Sequence, residues 1–279
     1  MKRSQRLKIV FIKTKFKVTG LFSKQKAAEQ LFTVFCTPYG TTQRSGEPKE
    51  AEALAFTLNG KKIRGHRWNH PQPKKALILH GFSSAAYKFD RYVSPLVKKG
   101  YEVLSFDAPA HGSSGGSTVN AVEYAAMVKK VIELYGPVQS FIAHSFGGIA
   151  ITLTLESMAH DAGHKLVLIA PATETTSAIE SAFTMFGIED AGVRQAFNRI
   201  IEQKGGHGPE WFSIRRAVKN IRAKILWLHD EEDDMTPLSD ALKVKEDNHP
   251  NIQFVITKGL GHRRIYHDAG VKKAIVDFL

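Results

Sequence analysis

Short apolar segments alternate with helical segments over most of the chain, and this alternation constrains its fold more than any other feature. The strand-like segments lie at residues 76–79, 101–106, 140–143, 165–169, 223–228 and 252–257, with helical patterns at 87–99, 121–135 and 149–159 between several of them. Strands that are apolar at nearly every position are typical of parallel sheets covered by helices on both faces. The sequence therefore predicts an α/β protein with a mostly parallel, doubly wound sheet.

Two further strand-like segments, 53–58 and 62–68, precede this alternation and are separated by Asn59-Gly60. Both turn residues tolerate the positive φ of a type I′ turn, so the pattern predicts an antiparallel hairpin. We expect this hairpin at one edge of the sheet.

The interval between residues 169 and 223 is too long for a single crossover helix. Helical patterns at 176–186, 192–203 and 213–221 predict a helical cap inserted into the sheet. The resulting organisation is a basic N-terminal arm and helix at 1–50, the first part of the α/β core at 51–172, the cap at 173–218 and the second part of the core at 219–279.

The formal net charge of +12 is concentrated at the N-terminus, because residues 1–30 hold nine Lys and Arg against one acid, Glu29. Such an arm can lie on an anionic membrane or bind RNA, and the plainer interpretation is a solvated leader. We expect no nucleic-acid partner, and a weak membrane-surface contact through residues 1–26 stays open as an alternative.

The location of the protein is predicted from its apolar runs and its cysteine. The run 9–12 is too short for a secretory signal, and no run approaches the roughly 18 residues of a membrane span. The single cysteine, Cys36, excludes an internal disulfide and fits a reducing compartment. We therefore expect a cytoplasmic protein; the sequence sets no oligomeric state.

The segment Ala143-His144-Ser145-Phe146-Gly147 follows an apolar strand and precedes a helical run. Small residues stand two positions before and two positions after the serine, as a sharp strand-to-helix turn requires. Such a turn exposes the serine hydroxyl above the sheet edge and points backbone N–H groups at the same place. Ser145 is therefore the predicted nucleophile, and His144 is interpreted as structural.

A serine nucleophile needs a base, and the candidate is His262 in Gly259-Leu260-Gly261-His262. This histidine follows the strand 252–257, and flexible glycines allow a loop to bring its ring back over the sheet. His267, five residues further on, is the rival.

The acid that orients the base is predicted among five consecutive acids at 230–234, directly after a strand. These acids lack the alternating spacing and the glycine of a calcium-binding loop, and no metal is expected. We predict Asp233, four residues before Pro237, and keep Asp230 in reserve. Glu174, after the strand 165–169, is a further alternative.

The predicted oxyanion hole consists of the backbone N–H groups of Phe82 and Phe146. The strand 76–79 ends in His80-Gly81-Phe82, where glycine permits a tight bend that leaves the next N–H free.

A further loop at 107–114 contains Asp107 and His111 and is interpreted as a structural turn whose side chains bond the loop backbone. The Gly- and Ser-rich segment 112–117 lacks the Lys of a phosphate-binding loop, and no dinucleotide motif follows a strand. We therefore expect no cofactor.

Together these motifs resemble those of the α/β-hydrolase superfamily from about residue 51 to the C-terminus. The order Ser145, Asp233, His262 matches the nucleophile–acid–histidine order of that family. The segment 80–82 is similar to its oxyanion motif, and 107–114 is similar to its Asp-x-Pro-x-His-Gly-x-Ser loop. Two positions differ, because Ala143 and Asp230 stand where glycine is usual.

The resemblance implies a carboxylesterase-like serine hydrolase that cleaves a small carboxylic ester, or an amide or thioester, through an acyl-serine. A serine nucleophile argues against the haloalkane and epoxide branches, whose nucleophile is an aspartate. The superfamily also contains members without hydrolytic activity. A non-catalytic protein that holds a small ligand on the same fold is therefore the alternative.

Overall fold

The computed structural model describes residues 13–14, 16, 18–40 and 42–279. Residues 1–12, 15 and 17 of the predicted basic arm lie outside the described residues. The described chain divides into two compact units. The larger unit contains residues 38–173 and 213–279, and the smaller unit contains residues 174–212 together with the described residues up to Thr37.

In the part of the chain that the structure describes, eight strands form one sheet in the order β1-β2-β4-β3-β5-β6-β7-β8. Their bounds are β1 Ala51–Leu58, β2 Lys61–Trp68, β3 Lys74–Leu79, β4 Tyr101–Phe106, β5 Ser140–His144, β6 Lys165–Ile169, β7 Lys224–Asp230 and β8 Ile252–Thr257. Strands β1 and β2 pair antiparallel, β2 pairs antiparallel with β4, and all other pairs are parallel. The predicted doubly wound, mostly parallel sheet is confirmed.

The described residues 13–14, 16 and 18–22 are helical. The helices that follow are α1 Lys24–Phe35, α2 Val93–Lys98, α3 Ala121–Tyr135, α4 Phe146–Glu156, α5 Thr175–Phe186, α6 Ala191–Gly205, α7 Ile214–Ala217, α8 Leu238–Glu246, α9 Gly261–Arg264 and α10 Ala269–Phe278. Short 3-10 turns lie at Ala86–Tyr92, Pro209–Trp211, Val218–Asn220 and Ile265–His267. Helix α4 begins at Phe146, three residues earlier than its apolar pattern predicts, because the chain turns into the helix directly after Ser145.

The predicted hairpin is formed by β1 and β2 at the edge of the sheet. Asn59 and Gly60 both have positive φ, 47° and 75°, as a type I′ turn requires. Burial along β1 alternates, whereas β4 and β5 are buried at every position. The edge position of the hairpin explains this difference.

The smaller unit has a core of aromatic rings from α1, α5 and α6. The Phe197 ring lies 5.7 Å from the rings of both Phe32 and Phe35 and 5.4 Å from that of Phe183. Helix α1 begins after Ser23, whose side chain accepts a hydrogen bond from the N–H of Lys26. Thus α1 packs on helices that lie more than 130 residues further along the chain.

Residues 213–221 belong to the larger unit, although the sequence analysis assigned residues 213–218 of this segment to the cap. They form α7 and a 3-10 turn rather than one helix. The guanidinium of Arg216 donates two hydrogen bonds of 2.5 Å to the carboxylate of Glu156 at the end of α4. This bidentate pair, with Asn220 bonded to the same carboxylate, fastens the segment to the core.

Candidate active site

Ser145 lies between β5 and α4 in a backbone conformation that non-glycine residues rarely adopt, with φ 53° and ψ −118°. A Cβ atom on Gly147 would lie 2.8 Å from the carbonyl oxygen of His80 and 2.9 Å from that of Leu79. Only glycine therefore fits two positions after the serine. The strained turn and this close approach are the features of a nucleophile elbow.

His262 lies against the serine, with its Nε2 atom 3.1 Å from Ser145 Oγ. The sequence placed this histidine in a loop, whereas the structure places it in the short helix α9. Gly259 and Gly261 have φ of 79° and 59°, and these conformations turn the chain back after β8. The rival His267 lies in the following 3-10 turn and makes no hydrogen bond to Ser145 among the described residues.

Asp233 completes the arrangement, because its Oδ2 atom accepts a hydrogen bond of 2.8 Å from His262 Nδ1. The same oxygen accepts from Thr236 Oγ1 at 2.8 Å, and Oδ1 accepts from the backbone N–H groups of Met235 and Thr236. Burial of this carboxyl group opposes its ionisation, but the His262 ring and the N–H donors lower its pKa to about 2. Asp233 is therefore an ionised, fully bonded carboxylate.

Asp230, the reserve acid, faces the backbone of the His262 loop instead of the imidazole. Its carboxylate accepts hydrogen bonds from Thr257 Oγ1 and from the backbone N–H groups of Leu260, Gly261 and Glu232. Burial opposes ionisation, yet these donors lower the pKa of the Asp230 carboxyl below its ordinary value. The residue at the usual glycine position thus binds the segment that carries His262.

The segment after β3 lies directly against Ser145. A Cβ atom on Gly81 would lie 2.9 Å from the Cβ of Ser145 and 2.8 Å from Nδ1 of His144. Among the described residues, the N–H groups of Phe82 and Phe146 donate to no acceptor, and the rings of these residues pack edge to face at 5.5 Å. Because Phe146 follows Ser145 and Phe82 follows Gly81, two free backbone N–H donors lie next to these two residues.

The loop at 107–114 binds the segment after β3 as well as its own backbone. The N–H of Ser83 donates to His111 Nε2 at 3.0 Å, and the N–H of Ala86 donates to Asp107 Oδ1 at 2.8 Å. In the opposite direction, the N–H of Ala108 donates to His80 Nε2 at 2.9 Å. Sequence analysis had identified the loop as structural but had missed this bonding between loops.

His144, interpreted as structural, contacts the segment that carries His262. Its Nε2–H donates to the backbone carbonyl of His262 at 3.0 Å, and the two rings lie 4.7 Å apart. Burial, reinforced by the neighbouring His262, lowers the pKa of His144 to about 3. The ring is therefore a neutral donor. The sequence analysis did not identify the contacts of His144 and Thr236 with His262. For Thr236 a signal was present, because a threonine three residues after an aspartate is typical of a turn.

No group of three or more His, Cys, Asp or Glu side chains among the described residues is arranged to hold a metal ion. None of the helices in the same residues is long and apolar enough to cross a membrane.

Comparison with known proteins gives the family. A model of the alpha/beta hydrolase family matches residues 76–273, which is more than half of the chain. The chain belongs to the alpha/beta hydrolase family. The resemblance inferred from the motifs is thereby confirmed.

Two curated relatives come from Bacillus subtilis (strain 168). The chain is 29% identical over 106 residues to the uncharacterized hydrolase YugF, a match that covers 36% of this chain and 38% of that protein. It is 23% identical over 212 residues to the uncharacterized protein YqkD, which covers 71% of this chain and 69% of that protein. The chain thus spans well under half of YugF and about two thirds of YqkD.

Among solved structures, the Pyrococcus furiosus esterase Pf2001 has a TM-score of 0.65 at 20% identity, over 87% of this chain and 95% of that chain. At this identity the likeness shows the fold.

Proposed function

We propose that this protein is a serine hydrolase that cleaves small carboxylic esters through an acyl-serine intermediate. The observation that carries the proposal is the continuous chain of contacts from Ser145 Oγ through both ring nitrogens of His262 to Asp233. Amides and thioesters are attacked by the same chemistry and belong to the range of substrates to be tested.

The hydrogen bonds define the role of each group. Since His262 Nδ1 donates to the ionised Asp233, Nε2 is the free acceptor for the Ser145 hydroxyl proton. The serine oxygen then attacks the carbonyl carbon while the proton moves to Nε2. Asp233 stabilises the imidazolium that forms and keeps its ring in place.

The negative charge that develops on the carbonyl oxygen is stabilised by the free N–H groups of Phe82 and Phe146. One donor of this kind is worth about 3 kcal/mol of transition-state stabilisation. The imidazolium next protonates the leaving alcohol, which departs and leaves an ester on Ser145. Water, deprotonated by His262, attacks that ester and releases the acid.

The proposal is tested with p-nitrophenyl acetate and butyrate and with a fluorophosphonate probe. Wild type is expected to turn over and to be labelled, whereas Ser145→Ala should lose roughly 10⁶-fold in kcat and all labelling. Ser113→Ala, at an exposed serine of the larger unit, is the matched control and should behave as wild type.

Three other outcomes have distinct meanings. Equal turnover in wild type and Ser145→Ala would mean that another residue is the nucleophile. Wild type that is labelled but inert toward both esters would keep the nucleophile and direct the search to amides and thioesters. A wild type that is neither labelled nor active would favour the non-catalytic ligand-binding alternative.

A further inference from the structure

The helical residues before α1 are apolar on two faces. Phe16 is buried and packs edge to face on Phe186 at 5.4 Å, and Gly20 is also buried. Val18, Leu21 and Phe22 are 50%, 80% and 87% exposed. The spacing of these three residues places them on one helical face. A helix that already buries one apolar face thus presents a second one to the outside.

The sequence segment that contains this face carries charge of one sign. Residues 1–26 contain nine Lys and Arg and no Asp or Glu. Among the described lysines, Lys26 is exposed, and Lys24 is paired with Asp190. An aliphatic and aromatic face within a strongly basic segment is complementary to a partner surface that has an apolar layer beneath a negatively charged outer layer.

We propose that the smaller unit binds the surface of anionic lipid membranes through Val18, Leu21 and Phe22, with the exposed Lys26 contacting the headgroups. Amphipathic segments rich in Lys and Arg with Leu and Phe on the apolar face bind membranes in this way, without spanning them. The inference does not depend on the proposed hydrolysis.

An RNA partner would use the same positive charge but not the aliphatic side chains. Single-stranded nucleic acids are bound by basic grooves and by aromatic rings on which bases stack. Exposed valine and leucine add nothing to that contact. The two exposed aliphatic residues beside Phe22 therefore favour lipid.

The experiment is flotation of the full chain with vesicles of phosphatidylcholine alone and with added phosphatidylserine. Wild type should bind the anionic vesicles, release at high salt and leave the neutral vesicles unbound. The double variant Leu21→Ser/Phe22→Ser should bind anionic vesicles at least tenfold more weakly. Leu134→Ser removes an apolar side chain that is 47% exposed on α3 of the larger unit, and this control should bind like wild type.

We expect each variant to fold, because the substituted side chains are exposed. Circular dichroism and thermal unfolding check this. Equal vesicle binding by the double variant and wild type would overturn the proposal. It would also be overturned if wild type bound an RNA oligonucleotide but no vesicles. A wild-type dimer that the double variant converts to a monomer, with no vesicle binding by either protein, would assign the face to a second copy of the chain.

Discussion

The carboxylate of Asp230 accepts a hydrogen bond of 2.8 Å from the backbone N–H of Gly261, the residue immediately before His262. Its other oxygen accepts from the N–H of Leu260 and from Thr257 Oγ1. His144 Nε2–H donates to the backbone carbonyl of His262. The segment that carries His262, the proposed base, is therefore held by a buried acid and a buried histidine, neither of which is hydrogen-bonded to the hydroxyl of Ser145.

Asp230→Asn is expected to lower kcat by roughly 10²-fold with little change in KM, because a displacement of about 1 Å costs that much. The substitution replaces one acceptor oxygen with an NH₂ group that faces N–H donors. Asp268→Ala is the control, since it removes the N-cap of α10 and about 1 kcal/mol of stability without touching the loop. Kinetics with p-nitrophenyl butyrate distinguish the two, and equal kcat losses in both variants would indicate a purely global effect.

Asp233→Asn is expected to reduce kcat by roughly 10⁴-fold, because the amide no longer stabilises the imidazolium or selects the ring tautomer. Asp234→Asn alters the neighbouring exposed acid and should leave kcat unchanged. Steady-state rates and the rate of fluorophosphonate labelling measure both variants. A larger loss in Asp234→Asn than in Asp233→Asn would contradict the assignment of the acid.

The sequence predicted much of this site because its signals are local. Strand ends, the small residues around Ser145 and the turn residues Asn59-Gly60 are set by backbone sterics within a few positions. The same holds for the position of His262 after the last strand. In such cases the local pattern and the observed structure agree.

The sequence could not predict the features that arise from long-range packing. The local sequence does not distinguish the roles of the five adjacent acids. The pairing of β7 with β8 does, because it brings the segment 257–262 against Asp230. Likewise, no local signal shows that Phe197 packs on Phe32 and Phe35, because the contact joins distant segments. The bonding between His111 and the segment after β3 arises in the same way.

Gly81→Ala is expected to reduce kcat by roughly 10²–10³-fold, because the new methyl group would collide with Ser145 and His144 and displace the N–H of Phe82. The control is Gly208→Ala, whose Cβ would meet only the tip of the flexible Glu210 side chain at 3.0 Å. Rates of acylation by p-nitrophenyl butyrate measure the effect. Unchanged acylation in Gly81→Ala would remove Phe82 from the oxyanion hole.

Stability in acid should depend on His80 and His111, whose Nε2 atoms accept backbone N–H groups and cannot do so when protonated. Burial lowers the pKa of both rings from 6.5 to about 4. The unfolded chain therefore binds more protons than the folded chain between these values, and the free energy of unfolding falls as the pH drops through that window. Each ring accounts for roughly 3 kcal/mol of this loss.

Urea unfolding of wild type and His111→Gln between pH 7 and pH 4.5 tests this expectation. The variant should be less stable at pH 7, because Gln fits the site less well, but its free energy of unfolding should decline less steeply with acid. The slopes should differ by up to about 1.4 kcal/mol per pH unit, the value of one proton. Burial raises the pKa of the neighbouring Asp107, which acts in the opposite direction. Asp107 is present in both proteins, so the difference in slope reports the loss of His111 together with the loss of its interaction with Asp107. Parallel curves would show that the His111 ring is not held neutral.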